Sequence, residues 1–237
     1  MEPLQSGKYY HIYNRSNNRE DLFRTPANYQ HFLRLYEKYI LPIADTFAWV
    51  LMKNHFHMLV RIRDEEEIEF LPSLDAKHEA SRFTTVDASR SVDAGRSGGE
   101  TFQRSSNLEV SGRSKRDLKK PIPSHQFSHL FNAYAKYYNK LNNRTGSLFQ
   151  KNFKRKEVTS DRYFRQLVVY IHTNPVQHGF TDNFKDYPWS SFATILSLKP
   201  TKLSRDEVIG WFDDVANFVY IHNQEMDRNV IESIEIE

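Results

Sequence analysis

His55 and His57, separated by a single phenylalanine, are the side chains whose types and spacing best suit chemistry. The apolar segment around them is typical of a β-strand, in which successive side chains alternate between two faces. Both imidazoles therefore point to one face, and Phe56 points to the other, where it can anchor the strand in a core. Two neutral imidazoles held side by side make half of a divalent-metal site. The pair predicts a metal site on this strand.

The spacing alone is weak evidence, because a chain of 237 residues with ten histidines will often contain two histidines at this spacing by chance. The ordinary alternative is two histidines on the solvated face of an antiparallel strand. The local pattern favours the metal site, since the flanking apolar stretches are typical of a hairpin whose turn is Lys53-Asn54. Both rings are then expected beside a tight turn.

A later helix offers a nucleophile. It is predicted to begin at Ser160 or Asp161, either of which can cap it, and to end at Asn174 because Pro175 follows. Its buried face consists of apolar residues at helical spacing, namely Phe164, Leu167, Val168 and Ile171. Tyr170 and Asn174 lie one turn apart on a neighbouring face, with Cβ atoms roughly 5–6 Å from each other.

The phenol of Tyr170 can act as a nucleophile, and the amide oxygen of Asn174 is a reasonable hard metal ligand. A metal beside a nucleophilic tyrosine indicates phosphoryl chemistry on nucleic acid. Each residue also has a plain structural reading. Tyr170 can be a half-buried aromatic residue at the edge of the core, and Asn174 can be a helix-end residue that bonds its own backbone.

The charge distribution favours nucleic acid as the partner. The net charge is only +3, but residues 112–156 hold twelve lysines and arginines against one aspartate, and the chain beyond residue 200 is acidic. Aromatic residues are interleaved with the basic ones, as a groove that follows a strand requires. Scattered lysines more often mark a solvated helix face. The residues predicted to contact DNA are Arg15, Lys53, Lys151, Lys154, Arg155 and Lys156.

The composition excludes several classes of protein. The chain has no cysteine, which rules out a disulfide framework and a thiolate zinc site. No signal peptide is recognisable at the N-terminus and no apolar run approaches membrane-spanning length, so a cytoplasmic protein is expected. A chain of 237 residues with 39% hydrophobic content can bury one substantial core.

The coarse order of the elements is β-α-β-β-α-β. Strands are predicted at 8–15, 43–52, 55–63 and 152–158, and helices at 26–40 and 124–141. This order is typical of a ferredoxin-like α+β fold, an antiparallel sheet with helices on one face and the tyrosine-bearing helix by the open face. We expect one domain at 1–195, including a flexible insertion at 81–114, and a small C-terminal appendage at 196–237.

Five stretches, in order along the chain, resemble the single-tyrosine HUH transposases, and most closely the REP-associated tyrosine transposases. They are Tyr10–Arg15, Leu51–Val60, Gly146–Gln150, Tyr170–Pro175 and Tyr187–Ser191. The resemblance implies a transposase that cleaves single-stranded, hairpin-bearing DNA with the help of a metal and transfers the strand through a 5′-phosphotyrosine intermediate.

In that family's pattern the nucleophile matches Tyr170, and the metal ligands match His55, His57 and Asn174. The expected cofactor is a divalent ion, Mg²⁺ or Mn²⁺, and the expected partner is single-stranded or hairpin DNA, bound by a monomer or homodimer. Two other classes fit the same residues. One is a nucleic-acid-binding protein with a vestigial site, and the other is a metal-dependent hydrolytic nuclease in which Tyr170 only packs and water is the nucleophile.

Overall fold

A computed structural model describes residues 3–72 and 118–224, together with residues 231 and 234. The chain divides into two compact units, one made of Met1–Glu69 and Pro121–Glu237, the other of Phe70–Lys120. In the second unit the described residues form a short antiparallel pair of strands, β4 (Leu71–Pro72) and β5 (Leu118–Lys119). The predicted flexible insertion at 81–114 lies outside the described residues.

The first unit is built on a four-stranded antiparallel sheet. Its strands are β1 (Tyr9–Arg15), β2 (Ala44–Met52), β3 (His55–Ile62) and β6 (Lys154–Val158), in the spatial order β2-β3-β1-β6. With two helices between the strands, this order is the ferredoxin-like arrangement, so the predicted α+β fold is confirmed. Every predicted strand is present, within two residues of its predicted bounds.

Besides two short 3-10 helices and the helical residues 231 and 234, six α-helices belong to this unit in the described part of the chain. They are α1 (Pro26–Tyr39), α2 (Pro123–Leu141), α3 (Asp161–Gln177), α4 (Phe192–Leu196), α5 (Arg205–Trp211) and α6 (Val215–His222). Among the described residues, no helix is both long enough and apolar enough to cross a membrane.

The sheet is covered on both faces, and strand alternation decides which side chains enter which layer. One layer lies between the sheet and helices α1 and α2 and includes Ile12, Phe56 and Phe131. The other lies between the sheet and helices α3 to α6 and includes Leu59 and Phe164. The face that the sequence analysis left open for the tyrosine-bearing helix is therefore occupied by α3 and by the segment after it.

Helix α3 corrects one prediction. Ser160 Oγ caps it by accepting a hydrogen bond from the Tyr163 amide, as expected, but the helix runs through Pro175 to Gln177 instead of ending at Asn174. A proline inside a helix removes one backbone hydrogen bond and costs about 3 kcal/mol. The cost is offset because α3 is buried between the sheet and the C-terminal helices, and regular bonding resumes with the His178 amide donating to Asn174 O.

A buried chain of hydrogen bonds joins α3 to the C-terminal helices. His222 Nδ1 donates to Phe218 O at 2.7 Å, which leaves His222 Nε2 to accept from His172 Nδ1 at 2.8 Å. His172 Nε2 then accepts from Ser191 Oγ at 2.8 Å, and that oxygen accepts from the Trp49 amide of β2. The two links accepted by His222 Nε2 and His172 Nε2 require neutral imidazoles, and both rings are buried.

We expect this chain of bonds to make the protein sensitive to mild acid. Burial lowers the pKa of His222 from 6.5 to about 4 and lowers that of His172 well below 6.5. Their stabilisation is complete above the unfolded-state pKa of 6.5 and is lost as the pH falls towards the folded-state value. His222 alone should lower the free energy of unfolding by about 2 kcal/mol between about pH 7.5 and pH 5.

Urea unfolding followed by circular dichroism at these two pH values measures the effect. The His222→Asn variant keeps an amide to donate to Phe218 O but is too short to accept from His172. It should be less stable at neutral pH and show a weaker loss in acid. An equal loss of stability in this variant would assign the acid sensitivity to other groups.

Candidate functional site

The β2–β3 hairpin places the two predicted histidines as expected. Lys53 and Asn54 form the two-residue turn, and His55 and His57 follow on the same face of β3, towards α3. Phe56, between them, is buried in the opposite layer. The expected alternation of these three side chains is therefore confirmed.

His57 is held by a histidine that the sequence analysis did not single out. His11 lies on β1, and its Nε2 is 2.9 Å from His57 Nδ1. Tyr13, directly across the strands from His57, stacks on its ring with centroids 5.5 Å apart. These contacts occupy Nδ1, whereas His57 Nε2 is buried without a hydrogen-bond partner in the described residues. A buried nitrogen without a partner is costly, which favours a ligand at this position.

His55 presents its ring in a similar way. Its Nδ1 donates to Asn54 Oδ1 at 2.6 Å. In the neutral ring the lone pair is then on Nε2. The His55 and His57 ring centroids are 5.3 Å apart. Two imidazoles thus each have one nitrogen engaged by the protein and one left for a ligand.

Helix α3 brings Tyr170 and Asn174 to this pair. The Tyr170 ring centroid is 5.4 Å from that of His57, with the rings nearly perpendicular. Asn174 is fully buried, and neither Oδ1 nor Nδ2 makes a hydrogen bond with the described residues. Its amide nevertheless lies close enough to His55 to raise the pKa of that ring in part. Asn174 is inside the helix, so the structural reading as a helix-end residue that bonds its own backbone is wrong.

His178 is a further member of the site that was missed. It follows Tyr170 and Asn174 at the same four-residue spacing, and its ring centroid is 4.8 Å from that of His55. Because the helix was predicted to end before Pro175, this residue was not placed on its face. The four-residue spacing of His178 from Asn174 would have indicated its position only if the helix had been extended past Pro175.

Burial keeps the site histidines uncharged. Burial lowers the pKa of His55 to about 3, with a smaller contribution from His178, and lowers that of His57 well below its usual value. Burial likewise lowers the pKa of His11 to about 3, and the positive charge of Lys156 adds to the effect. Neutral imidazole is the form that binds a metal ion.

The site contains a cavity of about 390 Å³, which we call the histidine pocket. Tyr170, His55, His57 and His178 lie on its wall, and Arg15 and Lys154 are the cations among the lining residues. A pocket of this size with convergent polar groups is typical of a functional site.

The residues predicted to contact DNA are separated by the structure. Arg15 and Lys154 line the histidine pocket. Lys151 and Arg155 line a second, larger cavity beside α2. Neither cavity is lined by Lys53, which lies in the hairpin turn, or by Lys156, whose ammonium lies over the Tyr163 ring. Contact with DNA stays a prediction for all six.

The side chains of the histidine pocket fit a divalent ion. His57 Nε2 and Asn174 Oδ1 are buried atoms without hydrogen-bond partners among the described residues, and the Asn174 amide lies close to His55 although it does not line the pocket. His55, which lines the pocket, has its lone pair on Nε2. Imidazole nitrogen and amide oxygen are both accepted by Mn²⁺ and related ions. No group of three His, Cys, Asp or Glu side chains in the described part of the chain is arranged to hold a metal, so such an ion would depend on the amide.

No known family profile matches the chain, and no curated protein sequence is significantly similar to it. A similar solved structure is that of a REP-associated tyrosine transposase bound to a REP hairpin, with 16% identity and a TM-score of 0.49. The match covers 84% of this chain and 87% of that chain. A likeness at this level is too weak to transfer a function, which has to be argued from the residues of this chain.

If His57 binds a metal, His11 should determine how well it does so. The His11→Phe variant keeps an aromatic ring on β1 but cannot accept from His57 Nδ1. Loss of such a supporting contact costs about 10–100-fold in metal affinity. Mn²⁺ titration followed by electron paramagnetic resonance measures this, and His11→Gln, which restores an acceptor, should recover part of the loss.

The control is His31→Phe, since His31 lies on α1 and stacks on Tyr137, outside the pocket. Its Mn²⁺ affinity should equal that of the parent. Equal affinity in His11→Phe as well would show that His57 is not the ligand.

Proposed function

We propose that this protein cleaves and rejoins single-stranded DNA by phosphoryl transfer to Tyr170. The observation that supports it best is the convergence of one phenol and two neutral imidazoles on one pocket, with the buried, unpartnered amide of Asn174 beside His55. None of the described residues that line this pocket carries a carboxylate, so a phosphate there would lie among neutral and positive side chains of the described chain.

Tyr170 is the proposed nucleophile. Its phenolic oxygen forms a bond to phosphorus, and the bond from phosphorus to the 3′ oxygen breaks. The phenol gives up its proton and the departing 3′ oxygen takes one, which leaves a 3′ hydroxyl and a 5′-phosphotyrosine. Because the bond energy is conserved in the covalent intermediate, the reverse step joins the 5′ end to a different 3′ hydroxyl.

His55, His57 and Asn174 are the proposed holders of a divalent ion, Mg²⁺ or Mn²⁺. When bound, such an ion polarises a non-bridging phosphate oxygen and eases the loss of the phenolic proton. The protein contributes rigid placement. His11 and Asn54 fix the two imidazoles, and α3 fixes the amide and the phenol on one helix face.

Single-stranded DNA is the proposed substrate because Tyr170 is almost completely buried, with 2% of its surface exposed. It lies on a helix packed against the sheet, so the substrate has to enter the pocket. A phosphodiester inside a duplex cannot bend that far, whereas an unpaired strand can. Arg15 and Lys154 line the pocket, and the proposal assigns them contacts with the phosphates next to the reacting one.

Two other functions predict different products. A hydrolytic nuclease would use water in place of Tyr170 and would leave no protein attached to DNA. A binding protein with a vestigial site would bind hairpins without cutting them. The retained and unpartnered ligand atoms favour an active site over the second alternative.

The Tyr170→Phe variant tests the nucleophile. Only a hydroxyl is removed, so folding and DNA binding should stay as in the parent, while cleavage and adduct formation should be abolished. Incubation with single-stranded DNA and Mn²⁺, followed by a denaturing gel, separates the covalent protein–DNA adduct from free DNA.

Tyr163→Phe is the matched control, because Tyr163 lies on the same helix but outside the pocket. It should form the adduct as the parent does. Cutting by Tyr170→Phe at a rate comparable to the parent would make water the nucleophile and would rule out strand transfer through this residue.

A further inference from the structure

A second cavity, of about 720 Å³, lies between α2 and the segment 146–153. We call it the α2 groove. Asn14 and Gln150 line both this groove and the histidine pocket, so the two spaces adjoin. Its volume falls within the roughly 300–1,000 Å³ of pockets that hold small organic ligands.

The α2 groove is positively charged. Lys136, Lys151 and Arg155 line it, and none of the described residues that line it is acidic. Arg155 is half-buried, and its Nε is inaccessible to solvent without a hydrogen-bond partner in the described residues. A partly buried guanidinium without a carboxylate beside it favours an anion in the groove.

Amide side chains project into the same space. Asn132 on α2 and Gln150 beside the histidine pocket are exposed, and neither side chain makes a hydrogen bond with the described residues. An amide both donates and accepts, so it can pair with the edge of a nucleobase, most readily adenine. Phe131, Phe149 and Phe153 also line the groove and give it an apolar part.

The segment 146–153, which forms the wall opposite α2, is held by hydrogen bonds from the rest of the protein. Asn17 Nδ2 donates to Phe149 O at 2.9 Å, and Asn139 Nδ2 donates to Gly146 O at 2.9 Å. Gly146 has a positive φ of 86°, which suits glycine, and a Cβ there would meet nothing within 4 Å. A wall that is already ordered loses little entropy when a ligand binds.

We propose that the α2 groove binds the unpaired nucleotides next to the reacting phosphate and reads their bases. Lys136, Lys151 and Arg155 hold the phosphates, and Asn132 and Gln150 hydrogen-bond to base edges. The inference rests on the proposed function, since it supplies the substrate specificity of the adjoining histidine pocket. It explains why the cations of β6 face two ways, with Lys154 at the histidine pocket and Arg155 at the α2 groove.

The test measures binding apart from cleavage. Tyr170→Phe is the background, and the probe is a pool of random-sequence single-stranded DNA, from which bound strands are recovered and sequenced. The background protein should enrich particular bases at one or a few positions. Adding Asn132→Ala and Gln150→Ala should reduce that preference by about tenfold or more at those positions, with little change in affinity for the unselected pool.

Removal of the groove lysines should have a different effect. Adding Lys136→Gln and Lys151→Gln should weaken binding to all sequences alike and flatten the log–log salt dependence by about 1.4, since each phosphate contact on a single strand contributes about 0.7. Gln30→Ala on α1 and Lys140→Gln on α2 are matched controls, because both are exposed and neither lines a cavity described above. They should match the background protein.

The outcomes separate the two proposals. If the groove variants keep the base preference and the salt dependence of the background, the α2 groove is not the binding site, whether or not the parent protein forms an adduct. If the groove variants lose both while the parent protein forms no adduct, the groove binds DNA and the proposed strand transfer is wrong. Circular dichroism melting of each variant excludes unfolding as the cause.

Discussion

A sheet covered on both faces constrains everything else in this protein. Because strand side chains alternate, each residue of the four strands is committed to one of two layers, and adjacent residues face opposite surroundings. On β3 this sends Phe56 into one core and His57 towards α3. On β6 it sends Lys154 and Arg155 to two different cavities. The site and the groove beside it are consequences of this one alternation, with the edge strand β6 lying between them.

Burial does more here than stabilise the fold, since it also sets the protonation state of the histidines. His11, His57 and His172 are deep enough that the charged ring is strongly disfavoured, and each is engaged in a pairing that needs neutral rings. A neutral imidazole is what a metal site requires and what a hydrogen-bond relay requires. The same desolvation therefore serves the proposed catalytic site on one side of α3 and a structural hydrogen-bond chain on the other.

Local rules predicted a good part of this structure, and long-range packing accounts for what they missed. The sides of the sheet on which His55, Phe56 and His57 lie follow from alternation alone, and the Ser160 cap follows from its residue type. The continuation of α3 through Pro175 depends on burial by residues far away in sequence, so His178 was not placed. The contact of His11 with His57 depends on the register between β1 and β3, which the composition of neither strand reveals. Likewise, the chain around the α2 groove turns at Asn143 and Asn152, which have positive φ values that the sequence pattern does not predict.

Helix α3 makes functionally distinct contacts on two opposite faces. Tyr170 faces the histidine pocket, and His172, two residues on and so across the helix axis, is fastened to Ser191 and His222. The rotation of the helix about its own axis is thereby set from the opposite side, by helix α6, which ends at His222, 52 residues after Tyr170. A proteolytic nick or a shortened fragment that removed α6 would leave every proposed catalytic residue in place and still release the orientation on which they depend. The unit that the proposed function requires therefore extends to α6, well beyond the last residue of the proposed site.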